Sequence, residues 1–327
     1  MVKIGTHNGT FHCDEALAVY ILKQLKEYKD AELIRTRDPQ ELEKCDVVVD
    51  VGGVYDHNTH RYDHHQREFN ETFSEKHYIR LSSAGLIYKH FGPQLIANKT
   101  GWEITDPRVD VLYNKVYVDF IQALDAIDNG VSRYETELKP RYTDHTNLAS
   151  RVGNLNPWWN QTGIDMMERF VKASNLAGGE LDDRIDYLAH SWMPAREVVE
   201  SALKKRHDVH PSGQILYLEQ FCNWKDHLHT LEVELAIDTE ILYVLYKDES
   251  GKFRVQAVSI APDSFVSRLP LPEVWRGIRD QQLSELSKIP GCVFVHASGF
   301  IGGNESYEGA LSMASQSIAD TYSSKKA

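Results

Sequence analysis

Cysteine is scarce in this sequence: four residues, Cys13, Cys45, Cys222 and Cys292, scattered with no CxxC pair. That spacing excludes a cysteine-based zinc site and offers no disulfide framework. Long apolar runs are missing as well. No stretch approaches the roughly 18–20 continuous apolar residues that a membrane-spanning helix needs. The opening residues, MVKIGTHNGTFHCDEAL, turn polar within five positions and lack both a signal-peptide apolar region and an Arg-rich transit-peptide composition. The chain reads as intracellular and free of membrane contact, with cytosol, nucleus and mitochondrion left open. Positive charge is in deficit too, 36 Lys and Arg against 48 Asp and Glu, for a net charge of −12. A protein that coats nucleic acid by neutralising many phosphates is usually basic. Any nucleic-acid contact here should therefore be local, in a cleft where metal ions supply the positive charge. Internal repeats are absent, and so is low-complexity sequence apart from the tail SSKKA.

What remains is an ordinary globular composition, 42% apolar and 26% charged over 327 residues, enough for one large or two ordinary α/β domains. Val2–Thr6, Glu32–Thr36 and the β-branched Asp46–Val51 read as strands. Between the first two, Leu17, Tyr20, Ile21 and Leu25 fall at helical spacing, with Asp14 where an N-cap belongs. Strands alternating with helices suggest a doubly wound, mostly parallel sheet, in which ligands bind beyond the carboxyl ends of the strands. A regular segment at Ser82–Phe91 and a long helical candidate over Val109–Ile127 follow. A polar loop spans about 137–163, and two more helices are expected over Asp165–Leu176 and Leu181–Arg206. Beyond the Pro/Gly break in RHDVHPSG, the runs QILYLEQ, ILYVLY, FRVQAVSI and CVFVH are strand-like. The expected layout is a catalytic domain over 1–206 and a smaller α/β substrate-binding domain over 207–327, with the active-site cleft between them.

Six of the fifteen histidines, His7, His12, His57, His60, His64 and His65, lie in the first 65 residues, beside Asp14, Glu15, Asp50, Asp56 and Asp63. Imidazole with carboxylate suits Mn, Fe, Co or Zn, whereas Mg favours mostly oxygen ligands. His7 and Asp50 each follow a strand, His12 and Asp14 share a turn, and Asp63-His64-His65 forms a third block. Asp125 and Asp128 close a helix as DAIDNG. Blocks ending at one sheet edge can converge, and a carboxylate between two cations can bridge them to clamp the oxygens of phosphoryl transfer.

The blocks THNGTFHCDEA, DVVVDVGG, YDHHQREF and DAIDNG resemble those of the melanocyte-proliferating-gene exonucleases, a branch of the DHH phosphoesterase superfamily. The likeness runs over nearly the whole chain, including SGFIGGNESYEGAL. It implies a DHH-like α/β fold and two divalent cations, Mn²⁺ foremost, with Mg²⁺, Co²⁺ or Zn²⁺ as alternatives. One cation would take His7, His12 and Asp50. The other would take Asp14, Asp50, His64 and Asp128, with Asp50 bridging as a catalytic ligand. His65 would touch the substrate phosphate. The implied activity is a 3′→5′ exonuclease, chiefly on single-stranded RNA rather than DNA, releasing 5′ mononucleotides. The superfamily's first block usually reads His-x3-Asp-x-Asp; here His12 replaces an Asp and the turn is one residue longer, which leaves its ligation open.

Each signal has a plainer counterpart. Asp125 competes with Asp128 for one ligand role, and the Asp-Asn-Gly turn favours Asp128. His57 and His60 read as a polar loop beside the site, and Cys13 as structural. Gly302, Gly303 and Asn304 form either an ordinary turn or a backbone cradle for substrate phosphate before the final helix. Trp158 and Trp159 either pack a long loop down or stack bases. Lys225, Arg254 and Arg268 are candidate phosphate contacts. The rival functions are a pyrophosphatase or dinucleotide phosphodiesterase on the same metals, and a non-catalytic RNA-binding protein that keeps metal for stability. Oligomeric state is not legible.

Overall fold

Val47, Val48 and Val49 are all buried, as a β-branched run inside a parallel sheet should be. Around them the computed structural model, which describes residues 1–135, 138 and 141–324, arranges two compact units, Met1–Ala189 and His190–Ala327.

The first unit runs β1 (Lys3–Thr6), α1 (Cys13–Lys23), β2 (Glu32–Arg35), α2 (Pro39–Leu42), β3 (Val47–Val49), β4 (Tyr55–Asp56) and β5 (Arg61–Tyr62). Helices α3 (Ser83–Thr100), α4 (Pro107–Val116), α5 (Gln122–Asp128), α6 (Leu148–Gly153) and α7 (Met166–Tyr187) complete it. Its sheet has the order β2-β1-β3-β5-β4, parallel throughout except for the β4–β5 edge pair. The mostly parallel core is therefore as expected; β4 and β5, two residues each, carry no apolar run that could announce them. Val48 packs with Leu42 and Cys45, while α1 lies against β3 and joins α3 and α7 in one helical layer.

Two helix expectations change. The segment read as one helix over 109–127 is α4 and α5 joined by a π-helical turn, Tyr117–Ile121. The break expected between Leu176 and Leu181 does not occur, since α7 runs straight through Gly178 and Gly179. Its cause is close packing. A Cβ on Gly178 would lie 2.1 Å from Cγ of Tyr20, so glycine here lets α7 approach α1 rather than ending the helix. The real interruption is the π-helical turn Leu188–Trp192.

The second unit contains α8 (Met193–Lys204), α9 (Arg206–Val209), β6 (Ile215–Leu218), α10 (Lys225–Glu234), β7 (Tyr243–Lys247) and β8 (Phe253–Ala257). It ends with α11 (Asp280–Ser287), β9 (Cys292–Val295), β10 (Ile301–Asn304) and α12 (Tyr307–Ser324). Its sheet, β6-β7-β8-β10-β9, pairs β6 with β7 in parallel and every other neighbour antiparallel. The division falls at 189/190, not at the Pro/Gly break near 206–213. Val199, Ala202 and Leu203 of α8 are buried against Leu216, Leu218 and Leu228, which ties α8 to the second unit.

Gly302-Gly303-Asn304 belongs to β10, between β8 and β9, and is not a turn. Two glycines hid this strand from a reading based on β-propensity. Of the loop expected over 137–163, the stretch around α6 is irregular; residues 136, 137, 139 and 140 lie outside the described residues, as do the last three of the SSKKA tail.

Candidate metal centre

The carboxyl ends of β1 and β3 deliver the first donors. His7 follows Thr6 directly. Asp50 follows Val49 in a left-handed conformation, φ 57°, which Asp tolerates better than most residues. Its N–H donates to the Tyr62 carbonyl at 3.1 Å, which holds that turn. The N-cap of α1 is His12, two residues earlier than the expected Asp14. The His12 N–H donates to both carboxylate oxygens of Glu15 at 2.9 Å, one half of a capping box. This cap fixes His12, Asp14 and Glu15 in one turn. His64 and His65 follow β5, and Asp128 is the last residue of α5.

These residues converge into two adjoining donor sets. In the first, His7 Nε2 lies 3.0 Å from Glu15 Oε1 and 3.3 Å from Asp50 Oδ2. With His12, their donor atoms all lie within 4.8 Å of one another. The second set comprises two overlapping groups that share His64: Asp50 with His64 and His65, and Asp14 with His64 and Asp128. There His64 Nε2 is 3.2 Å from Asp128 Oδ2, 3.3 Å from Asp50 Oδ1 and 3.9 Å from Asp14 Oδ2. Asp50 thus presents one oxygen to each set. Ser83, at the start of α3, donates to Asp50 Oδ1 at 3.1 Å. His7 Nδ1 lies 3.0 Å from the Asn8 carbonyl and 3.2 Å from Arg37 Nη2, which leaves Nε2 turned to the carboxylates.

Charge balance supports a cation. Both Asp14 oxygens are buried without a hydrogen-bond partner, and His64 Nε2 faces carboxylate oxygens on three sides, a costly arrangement unless protons or an ion satisfy them. Burial alone would lower the His7 pKa, but hydrogen bonds to Asp50 and Glu15 outweigh it and push it up to about 10. His64 is raised in the same way, against burial, by Asp50 and Asp128. Burial drives the Asp14 carboxyl well above the carboxylate range, and the charges of Asp50 and Asp128 add to that. Asp50 is pushed up by burial yet held below its ordinary value by His64 and His7. The upward shifts of His7, His64 and Asp14 favour protons among the crowded carboxylates, and divalent cations would displace such protons. The donor chemistry, imidazole with carboxylate, fits Mn²⁺, Co²⁺ or Zn²⁺ better than Mg²⁺.

His65 differs from its neighbour. Its side chain is 62% exposed, and Nδ1 sits 2.7 Å from Asp63 Oδ1. Asp63 is itself buried and anchored by the Gly53 N–H at 2.6 Å. It therefore orients the ring, whose Nδ1 also lies 3.5 Å from Asp50 Oδ1. A cleft here holds about 620 Å³ and is lined by His12, Asp14, His64, His65, Asp128 and Arg80, among others.

Other sequence candidates fall elsewhere. Asp125 is fully buried and accepts from the Ser82 N–H at 2.9 Å and hydroxyl at 2.8 Å, so it braces the start of α3 and joins neither donor set. His57 stacks on His90 with centroids 3.8 Å apart and bonds Tyr62, and His60 bonds Tyr28; both belong to an aromatic cluster away from the ligands. The four cysteines are free thiols. In the second unit, Gly302 makes room for packing, since a Cβ would meet Leu271 Cδ1 at 2.9 Å and Met313 Cε at 3.1 Å. Gly303 makes room for Arg254, whose Nη1 lies 2.5 Å from where its Cβ would be. That Nη1 is buried and has no hydrogen-bond partner. The Asn304 side chain is fully buried and already bonded to the Ser306 N–H and Pro290 carbonyl. Arg268 is locked bidentately onto Glu232 at 2.7 Å, and Lys225 opens α10. Ser83, the orienting role of Asp63 and the place of Glu15 in a donor set escaped sequence reasoning, although His12-x-x-Glu15 carries a capping-box spacing that could have placed Glu15.

The family model MYG1_exonuc, described as an uncharacterised protein family (UPF0160), matches residues 3–318. MYG1 exonuclease of Homo sapiens is 52% identical over 323 residues, 97% of this chain and 86% of that protein. The MYG1 protein of Dictyostelium discoideum is 52% identical over 317 residues, 96% of each chain. The solved structure of RecJ in complex with Mn²⁺ from Thermus thermophilus matches 97% of this chain and 52% of that one, at 13% identity and a TM-score of 0.26, a likeness too loose to bear on the chemistry. Half of all positions shared with relatives along almost the entire length leave one conclusion: this chain belongs to the MYG1 exonuclease family.

Proposed function

We propose that this chain is a metal-dependent phosphodiester hydrolase, a 3′→5′ exonuclease that shortens single-stranded RNA and releases 5′ mononucleotides. The observation that carries the reading is Asp50, one buried carboxylate with an oxygen in each of two adjoining donor sets. Relatives named as exonucleases support the nucleic-acid substrate.

In this reading His7, His12, Glu15 and Asp50 hold one divalent cation, and Asp14, His64 and Asp128 share Asp50 with the second. Such a pair, when bound, supplies positive charge to phosphoryl oxygens and lowers the pKa of water. The remaining work belongs to the chain. Asp63 accepts from Nδ1 and fixes the His65 ring, whose imidazolium form would carry an Nε2–H to donate to a non-bridging oxygen, where charge grows in the transition state. Ser83 and the left-handed turn at residue 50 keep both Asp50 oxygens aimed at their sets. Arg254, over Gly303 and ion-paired with Asp248, is the candidate phosphate contact of the second unit. Gly302, Gly303 and Asn304 then serve substrate binding by shaping that strand, not by cradling an anion with their own groups.

The test uses metal-stripped protein, end-labelled single-stranded RNA and DNA, and pyrophosphate, with Mn²⁺ or Mg²⁺ restored. Mononucleotides accumulating from the 3′ end of RNA before any shorter internal fragment is the expected result. Hydrolysis of pyrophosphate with intact RNA would overturn the reading in favour of a small-substrate phosphatase, and metal binding with no hydrolysis would favour a binding protein.

A further inference from the structure

Trp158 and Trp159 are the residues whose exposure the hydrophobic effect least explains. Their side chains belong to the first unit and are 68% and 97% exposed. A tryptophan pair usually pins a loop by burying its rings, but this loop is held by hydrogen bonds. Asn156 takes the Phe11 N–H on Oδ1 at 3.0 Å and donates Nδ2–H to the Phe11 carbonyl at 2.8 Å. The loop then closes on itself, with Gln161 Oε1 accepting from the Trp158 N–H and the Trp158 carbonyl accepting from the Gln161 N–H, both at 3.0 Å.

The anchor also fixes where the rings stand. Phe11 precedes His12, a donor of the first metal set, and Asn156 follows α6, whose Ala149 and Gly153 line the metal cleft. The indoles therefore sit two and three residues from a point hydrogen-bonded to the edge of the metal centre. Arg67 and Arg80 on the wall of the same cleft are exposed cations. Solvent-facing π surfaces on a loop tied to the edge of a cleft that carries cationic side chains match the pattern by which single strands are held without sequence preference. A protein partner or a lipid surface would call for a wider apolar patch around the rings, whereas the adjoining cleft is lined by His, Asp and Arg.

We propose that Trp158 and Trp159 form a base-stacking platform that holds a single-stranded nucleic acid at the rim of the metal cleft. The proposal rests on the reading of that cleft as the site where a phosphodiester strand is cleaved. Stacking acts on the base, and the cleft acts on the phosphate, so the two contributions separate by chemistry.

The experiment measures fluorescence-anisotropy Kd values for the full chain in excess chelator, where hydrolysis cannot intervene. The probes are a labelled single-stranded oligoribonucleotide and an abasic strand of equal length and charge. Trp158→Ala and Trp159→Ala together should weaken binding of the oligoribonucleotide by tenfold or more, as loss of one or two stacked bases implies. Binding of the abasic strand should be the same in both proteins, and Phe at both positions should restore most of the affinity. Equal affinities of wild type and the Ala variant for the base-bearing strand would overturn the platform, whatever the hydrolysis assays show. An equal loss for base-bearing and abasic strands would overturn it too, because a collapsed loop and not stacking would then be responsible. If the platform holds while no metal restores cleavage of any diester, the failure lies with the hydrolase reading alone.

Discussion

At the scale of single residues, the centre divides ligands from the groups that hold them, and substitutions should separate the two. Asp50→Ala removes the one carboxylate common to both donor sets, so metal content and turnover should both collapse, as mass spectrometry of bound metal and a kcat measurement would show. His65→Ala should retain both metals and lose about 10²–10³-fold in kcat, the usual scale for one transition-state donor. Equal metal loss in the two variants would make His65 a ligand. Asp125 and Asp128 make a sharper pair. Asp128→Asn should lose metal, and Asp125→Asn should keep it, since an amide oxygen can still accept from the Ser82 N–H. Burial pushes the Asp125 carboxyl up to about 7, against about 3.9 for an unfolded chain. A raised carboxyl pKa adds stability that is complete below the unfolded value and lost as pH rises through the folded one. Relative to wild type, Asp125→Asn should therefore gain thermal stability as pH rises from about 4 to about 7, with no further gain above that. Sequence alone favoured Asp128 only through its turn, because residues three apart on a helix share a face. His7, Asp14, Asp50 and His64 were legible as blocks at strand ends. The place of Glu15 in a donor set was hidden, since an acid in a first helical turn usually serves the helix itself.

At the scale of elements, the parallel strands were legible and the glycine-bearing ones were not. Val47–Val49 advertises burial on both faces, whereas Ile301–Asn304 has two glycines where a strand normally shows β-branched residues. Tertiary packing decides such cases. Gly178 reads as a helix breaker, yet the approach of Tyr20 makes it a requirement of α7. The same logic splits the β10 pair. Gly302→Ala would set a Cβ against Leu271 Cδ1 and 3.1 Å from the Phe294 carbonyl, and overpacking of this kind costs about 1–3 kcal/mol. Its melting temperature should fall, with KM for oligonucleotides unchanged in the protein that stays folded. Gly303→Ala meets the far end of a flexible side chain instead, so it should displace the Arg254 guanidinium at little cost in stability. There KM should rise towards that of Arg254→Ala. Melting curves and KM on the same preparations test both, and a Gly303→Ala variant that loses stability but not affinity would leave β10 with a packing role only.

At the scale of the whole molecule, every proposed ligand lies between His7 and Asp128, inside Met1–Ala189, and each unit has its own buried core. Metal binding should therefore stabilise one unit and leave the other alone. A ligand at a hundred times its Kd adds about 2.7 kcal/mol to the state that binds it. For a unit of this size that corresponds to a rise of roughly 5–10 °C in melting temperature. Calorimetry of metal-stripped protein with and without Mn²⁺ measures the shift, and hydrogen exchange assigns it, with new protection expected in α1 and around β3 and none in β7–β10. The overall negative charge works in the same direction. Four of the acids that make the chain acidic, Asp14, Glu15, Asp50 and Asp128, are gathered at one end of a parallel sheet, where their mutual repulsion opposes folding until cations arrive. The dependence should accordingly be steep: chelator should lower the first transition well below that of a Glu15→Gln variant, whose site carries one charge fewer. A wild-type first transition indifferent to both chelator and Mn²⁺ would mean that the carboxylates are balanced by protons alone, and the metal centre would have to be abandoned.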